Sequence, residues 1–243
     1  MDTSKTAIVI PAYNAERTVG RTLARIAAAG ITPGAVLVVD DGSRDRTVEV
    51  ARRAGVEHHL PVEILVHHRN RGYGGAQKTA FRRALERGFA IVMLVHADGQ
   101  YAPEEYLSLL APIDRERADM VVGSRVLGGA LRGGMPPLRW LGNRLISALE
   151  NLVFGLKFVE YHSGYVAYSA EALERIAFET LSERYHFDGE MLMCAGKLGL
   201  RVAEVPVSTH FGPETSSLAV APYLLEVSEV LLRYARGGYF FQS

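Results

Sequence analysis

The run Phe89-Ala90-Ile91-Val92-Met93-Leu94-Val95, leading straight into His96-Ala97-Asp98-Gly99-Gln100, constrains this chain more than any other feature. A fully apolar run of that length, closed by turn residues, reads as a strand buried on both faces of a parallel sheet. Open α/β sheets bind their ligands at the carboxyl ends of such strands. Asp98 and Gln100 place a carboxylate and a carboxamide on one turn, and both offer hard oxygen ligands to a divalent cation. A cation held there suits a diphosphate leaving group, so the turn points to a nucleoside-diphosphate site.

The residues before it repeat the same plan. Candidate strands Ala7–Ile10, Ala35–Asp40, Val62–His67, Ala90–Val95 and Asp119–Gly123 alternate with helical patterns. Val19, Leu23 and Ile26 mark the face of a helix after Asn14; Asp45 is placed to cap a second helix; 74–87 and 103–110 read as two more. Such alternation predicts a mostly parallel sheet flanked by helices. Each strand ends in unusual residues. Pro11-Ala12-Tyr13-Asn14 stiffens a turn, offers a ring to stack on a base and an amide to cap a helix. Asp40-Asp41-Gly42-Ser43 suits hydrogen bonds to base or ribose. Asn70-Arg71-Gly72-Tyr73-Gly74-Gly75 suits close backbone approach to a ligand and opens a helix whose N-terminus favours anions. Neither G-x-G-x-x-G nor the P-loop spacing is present, which argues against a dinucleotide-binding or P-loop fold.

Composition excludes little but narrows the setting. The 243 residues carry 27 basic and 27 acidic side chains, so no global charge favours nucleic acid. The single Cys194 excludes an intramolecular disulfide, and its apolar neighbours read as a buried small hydrophobe. The start Met1-Asp2-Thr3-Ser4-Lys5 lacks a signal-peptide pattern, and no apolar run approaches the ~20 residues of a spanning helix. A cytoplasmic protein, able to sit at the cytoplasmic face of a membrane, is the expectation.

Four motifs taken together carry a resemblance: Ile8-Val9-Ile10-Pro11-Ala12-Tyr13-Asn14, Val38-Val39-Asp40-Asp41-Gly42-Ser43, Asn70-x-Gly72 and Asp98-Gly99-Gln100. In this order and spacing the chain resembles the inverting family-2 glycosyltransferases of the GT-A fold, from about residue 5 to about 217. Gly123-Ser124-Arg125, Arg139, Asn143-Arg144, Ser163-Gly164-Tyr165 and Phe187-Asp188-x-Glu190 make it look most like the polyprenyl-phosphate and dolichyl-phosphate sugar transferases. The resemblance implies an α/β, Rossmann-like nucleotide-diphospho-sugar transferase fold in one domain. Residues 1–125 would form the nucleotide-sugar half, 126–217 the acceptor half, and 218–243 an amphipathic helix and tail. It implies that Pro11, Ala12, Tyr13, Asn14, Asp40, Asp41 and Ala97 surround the nucleotide. Asp98 and Gln100 would bind Mg²⁺ or Mn²⁺, with His96 as a possible third ligand. Arg125 and Arg139 would meet the diphosphate and the acceptor phosphate, and Ser163, Gly164 and Asp188 would line the acceptor side. The implied partners are a nucleotide-diphosphate sugar and a polyprenyl-type lipid phosphate; the oligomeric state is not implied.

Two departures accompany the resemblance. The metal turn reads His96-Ala97-Asp98 where the family has Asp-x-Asp, and histidine is neutral and softer than a carboxylate. Ala15 stands where the family has an acid after its first Asn. Further on, a Gly- and Pro-broken loop precedes a stripe of Leu138, Leu141, Leu145, Leu149 and Leu152 with Trp140, Arg139 and Arg144 at its edges. The stripe fits a membrane interface or a core helix under a loop. A second amphipathic pattern spans 220–234, with docking on its own domain as the default, and His210 sits in a loop that would close over the donor. The implied chemistry is direct displacement at the anomeric carbon. Were the acceptor a hydroxyl of a glycan or protein, a base would be needed, with Asp188 and Glu190 as candidates. A nucleotidyltransferase lacks its Gly-rich basic loop here, and a degenerate nucleotide-binding protein is suggested only by His96.

Overall fold

The computed structural model describes residues 2–208, 220–239 and 241. Seven strands form one sheet: β1 (Thr6–Ala12), β2 (Ala35–Asp40), β3 (Val62–Val66), β4 (Ile91–Leu94), β5 (Met120–Ser124), β6 (Val166–Ser169) and β7 (Val202–Pro206). Their order is β3-β2-β1-β4-β6-β5-β7. Every neighbouring pair is parallel except those made by β6, which runs antiparallel to both β4 and β5. Five of these strands follow the expected ranges closely, β7 overlaps Glu204-Val205-Pro206-Val207, which also reads as a short strand in the sequence, and β6 was not anticipated. It is four residues long and follows a Ser-Gly pair, so it offers neither alternation nor length.

That one reversed strand has a geometric consequence. Six strands end at the same edge of the sheet, and β6 begins there. Asp40, Asp98, Arg125 and Ser163, distant in sequence, are therefore all delivered to that edge.

The sheet is covered on both faces. Odd residues Ala7 and Val9 of β1, with Leu37, Val39 and Leu94, pack against Ala76, Ala80 and Phe81 of α3 (Tyr73–Glu86). Even residues Ile8 and Ile10, with Val36, Val38 and Met93, meet Leu23 and Ile26 of α1 (Val19–Ala28) and Leu109 and Leu110 of α4 (Tyr106–Asp114). The alternation of faces along each strand explains why these runs are apolar throughout. Helix α2 (Thr47–Glu57) takes its first-turn hydrogen bond from Asp45, whose carboxylate accepts from the Thr47 N–H at 3.0 Å. Asn14 does not cap α1, which starts at Val19. Its side chain instead accepts from the Arg44 N–H at 2.9 Å, and its backbone is left-handed at φ 49°. Asn14 therefore turns the chain and ties the end of β1 to the loop after β2.

Helix α5 (Pro137–Phe154) is inside out. Its buried residues are Ser147, Glu150 and Phe154, while the leucine stripe faces outward, Leu138 at 82% and Leu152 at 80% exposure. The core reading of that stripe is therefore overturned: its leucines have no core to pack into. The 18-residue helix spans about 27 Å at 1.5 Å per residue. No helix among the described residues is long and apolar enough to cross a membrane. Helices α6 (Ala170–Arg175) and α7 (Phe187–Lys197) complete the second half, and α8 (Val220–Ala235) docks on its own domain. Tyr234 of α8 meets Phe154 edge-on at 5.0 Å, Val227 and Val230 are buried, and the buried Glu226 accepts from the His186 N–H at 3.1 Å. His210, Gly212, Glu214, Ser216, Ser217 and Phe240 lie outside the described residues.

Candidate active site

The first half of the chain brings its acids together but gives them unequal freedom. Asp41 is committed: its carboxylate accepts from the Arg71 and Gly72 N–H groups, each at 2.8 Å, and contacts His67 Nδ1 at 2.6 Å. It holds the 70–72 loop in place. Asp40 accepts from the Ser43 N–H at 3.2 Å through Oδ2. Its Oδ1 is buried and has no partner among the described residues, a costly state for a carboxylate unless a ligand completes it. Pro11 and Ala12 lie beside Val39 and Asp40 in register, and the half-exposed Tyr13 ring follows them.

The glycines after β3 do not leave an open anion site. The Gly74 N–H donates to the Glu183 carbonyl at 2.9 Å, and a Cβ on Gly72 would stand 2.4 Å from that same oxygen. The close approach made possible by these glycines is by the chain's own 182–183 segment, which fills the N-terminus of α3. The expectation of a ligand there is corrected accordingly.

At the end of β4, Asp98 is exposed and its carboxylate accepts from the Gln100 N–H at 3.0 Å, so the two ligand candidates share one tight turn. His96 has a different connection. Tyr73 donates its phenol to Asp188 Oδ2 at 2.7 Å and stands 2.6 Å from His96 Nε2. With the phenol proton given to Asp188, His96 donates from Nε2, which leaves its Nδ1 with a lone pair. Ala97 is buried, and its carbonyl accepts from Thr22 at 3.1 Å. Burial raises the Tyr73 phenol well above its usual range, and the Asp188 charge adds to that.

Asp188 is no free base. It is buried, held by Tyr73 and by Gln77 at 2.9 Å, and burial raises its pKa against those hydrogen bonds. Glu190 points to the interior, accepting from the Ser182 N–H at 2.8 Å and from Tyr239 at 2.5 Å. Both belong to the first turn of α7 and act as structural acceptors.

The second half of the chain converges on Arg125. Its guanidinium is buried in an ion pair with Glu160, Nε to Oε1 at 2.7 Å, and Nη2 donates to the His162 carbonyl at 2.5 Å. Burial opposes its charge, but Tyr101 and Glu160 outweigh that and hold it protonated. Arg139, half-buried on the first turn of α5, has its pKa lowered by burial and then by the Arg125 charge. The two guanidiniums thus lie close enough for Arg139 to feel the Arg125 charge, which Glu160 offsets. Beside them Ser163 donates to the Gly123 carbonyl at 2.5 Å, and the Gly164 N–H donates to Tyr101 at 3.1 Å. A Cβ on Gly164 would fall 2.1 Å from His96 Nε2, so this glycine lets the acceptor segment close against the metal turn.

Several residues that build the site carried no sequence signal: Tyr73, Gln77, Tyr101 and Glu160. Another group, missed entirely, is the buried Glu150, His162 and His186, whose ligand atoms lie within 4.8 Å of one another. Burial takes His162 down to about 4, against the Glu150 charge. Cys194 is buried, and burial pushes its thiol up to about 12, in keeping with an inert core residue.

A reversed strand in a mostly parallel sheet, with acids and arginines at one edge, is the architecture of the GT-A fold. Solved structures agree on the fold: a glucosyl-3-phosphoglycerate synthase from Mycobacterium tuberculosis, in complex with Mg²⁺ and UDP, superposes with a TM-score of 0.68 at 20% identity, over 93% of this chain and 76% of that one. The family described as glycosyl transferase family 2 matches residues 7–177, and the chain belongs to it. It is a glycosyltransferase. It is 30% identical to a UDP-N-acetylglucosamine–dolichyl-phosphate N-acetylglucosaminyltransferase from Methanococcus voltae, over 84% of this chain and 85% of the relative. An undecaprenyl-phosphate mannosyltransferase from Micrococcus luteus is 33% identical over 82% and 81%.

Proposed function

We propose that this glycosyltransferase moves a hexosyl group from a nucleoside-diphosphate sugar to a polyprenyl-type lipid phosphate, acting as one domain. The observation that carries the reading is the 163–164 segment closed against His96 and Tyr101, with Arg125 and Arg139 beside Tyr101. A diphosphate on one side and an acceptor phosphate on the other would both find cationic partners there. The relatives named for dolichyl and undecaprenyl phosphate support the acceptor class.

Asp40 Oδ1, unpartnered and buried, would accept from a base or ribose group, with Tyr13 stacking nearby. Pro11, Ala12, Asn14, Asp41 and Ala97 would shape that pocket from the backbone side. The exposed Asp98 carboxylate and the Gln100 carboxamide fit a hard divalent cation, Mg²⁺ or Mn²⁺, and His96 Nδ1 could join them. Such an ion supplies Lewis-acid stabilisation to a departing diphosphate. Arg139 would orient the acceptor phosphate, assisted by whatever N–H groups Arg125 keeps free of Glu160. A phosphate is ionised at neutral pH and needs orientation more than deprotonation. That agrees with the lack of an available base at Asp188 or Glu190, and it disfavours a hydroxyl acceptor.

The outward leucines of α5 would lie on the membrane that carries the lipid, with Arg139 and Arg144 at the headgroup level. A thermal-shift panel of GDP, UDP and their sugars, with Mn²⁺, Mg²⁺ or chelator, tests the donor side. A metal-dependent rise with one base supports the reading. No rise with any nucleotide refutes it.

A further inference from the structure

Glu150 is the residue α5 buries where a leucine would be expected. It has 0% exposure, and its carboxylate faces two imidazoles that are themselves buried. His186 Nε2 lies 3.1 Å from Glu150 Oε1, and His162 Nε2 lies 3.3 Å from Oε2. Despite those distances, none of the four atoms has a partner of acceptable hydrogen-bond geometry among the described residues. Four buried, unsatisfied polar atoms facing one another call for an explanation.

The opposite edges of the rings sharpen it. Tyr223 of α8 stands 2.6 Å from His162 Nδ1 and 3.2 Å from His186 Nδ1. Two neutral imidazoles and one phenol hold three hydrogens, too few to bridge both the phenol contacts and the carboxylate contacts. The shortage disappears if both rings donate Nδ1–H to the phenol oxygen, leaving both Nε2 lone pairs turned to Glu150. Lone pairs facing a carboxylate repel unless a cation lies between them. An imidazolium–carboxylate pair would also close the count, but it needs the Nε2–H geometry that is missing.

We propose that Glu150, His162 and His186 form a second cation site, for a borderline divalent transition ion such as Zn²⁺. Imidazole nitrogen with one carboxylate suits that class and is poor for Mg²⁺. Bonds of about 2.0–2.1 Å in a tetrahedron put ligand atoms about 3.3 Å apart, close to the separations seen here. Glu150 offers one oxygen to each side, so a bidentate carboxylate and two imidazoles complete four donors without water. Tyr223 serves both rings from behind, fixing their tautomer as outer partners of metal-bound histidines do. The ion would pin α5, the segment before β6 and the start of α7 together. Because Arg125 Nη2 donates to the His162 carbonyl, it would also hold the acceptor-side arginine in place.

The test uses the full chain without an affinity tag, stripped by chelator and desalted. It is titrated with Co²⁺ alone and then with Zn²⁺, in wild type and in Asp98→Ala, Glu150→Gln and His186→Asn. The expected result is an intense tetrahedral visible absorption saturating at one equivalent of Co²⁺, bleached by Zn²⁺ with a rise in Tm. It should persist in Asp98→Ala and vanish in Glu150→Gln and His186→Asn. The proposal is overturned by a wild type that shows no such band, by a band lost in Asp98→Ala, or by one retained in both Glu150→Gln and His186→Asn. The wild-type result alone can refute it, even where a variant fails to fold.

Discussion

Helices α1 and α5 obey the same periodicity and opposite rules. In α1 the apolar face, Val19, Leu23 and Ile26, is buried against the sheet and the charged face meets water. In α5 the leucines are outside and a glutamate is inside. A helical stripe read from sequence therefore names a face but not its side. The side is decided by what lies opposite the stripe: in α1 residues that water accepts, in α5 a carboxylate that faces two histidines in the interior. The first half of the chain is built as a core with polar strand ends. The second half is built around buried charge, with the leucines of α5 turned outward.

The largest expected effect falls on that buried charge. Glu160→Leu leaves Arg125 buried without its partner and should cost about 3–5 kcal/mol, read as a lower urea midpoint. An unchanged midpoint would mean that Arg125 finds water, and the contrast between the halves would weaken. Next is the metal turn. Asp98→Ala should reduce transfer on the order of 10²-fold or more, with the fold intact because the side chain is exposed. Retained turnover in chelator would move the cation elsewhere. Arg139→Ala should lower transfer by roughly tenfold, a loss of about 1.4 kcal/mol of transition-state stabilisation, and leave nucleotide binding nearly unchanged. Equal losses of both would relocate Arg139 to the donor side.

Asp188 gives a pH signature. Burial raises its native pKa above the ordinary carboxylate value, so the native state binds that proton more tightly than the unfolded chain. Stability contributed by this group is greatest below the unfolded pKa and falls as pH rises to the raised native value. Asp188→Asn should flatten that part of the profile; a profile that stays the same assigns the slope to another acid such as Glu204, also raised by burial. The smallest stability effect is expected where sequence alone would forecast the largest. Changing Leu138, Leu145 and Leu152 together to Ser should alter stability by only about 0.5 kcal/mol per site, against about 2–5 kcal/mol for each buried leucine truncated. The same variant should lose its binding to anionic vesicles in a flotation assay. Large destabilisation would place those leucines in a core after all.

How far the sequence could be read follows the same division. Strands β1, β2, β4 and β5 lie in apolar stretches closed by polar residues, and β3 is interrupted only by Glu63, so both the sheet and its working edge were legible. The Asp98 turn, Asp40 and Arg125 could be named because each sits at the end of a strand. Strand β6 escaped because four residues carry no period, yet the segment leading into it sets Gly164 against His96. Asp41 and the 72–75 glycines were assigned to a ligand, whereas they bind the chain to itself through Gly72, Arg71 and Glu183. Glu160 and the Glu150, His162 and His186 cluster were invisible because their partners are brought together by tertiary packing, with no spacing to betray them.

The most direct measurement is transfer of labelled sugar from GDP-mannose, UDP-glucose and UDP-N-acetylglucosamine to a short polyprenyl phosphate, with Mn²⁺ or Mg²⁺ and a chelator control. The expected result is label in the organic phase from one donor, released as free nucleoside diphosphate appears, and none with chelator. Label that stays in the aqueous phase with every donor, from a protein that still binds nucleotide, would contradict the lipid-phosphate acceptor.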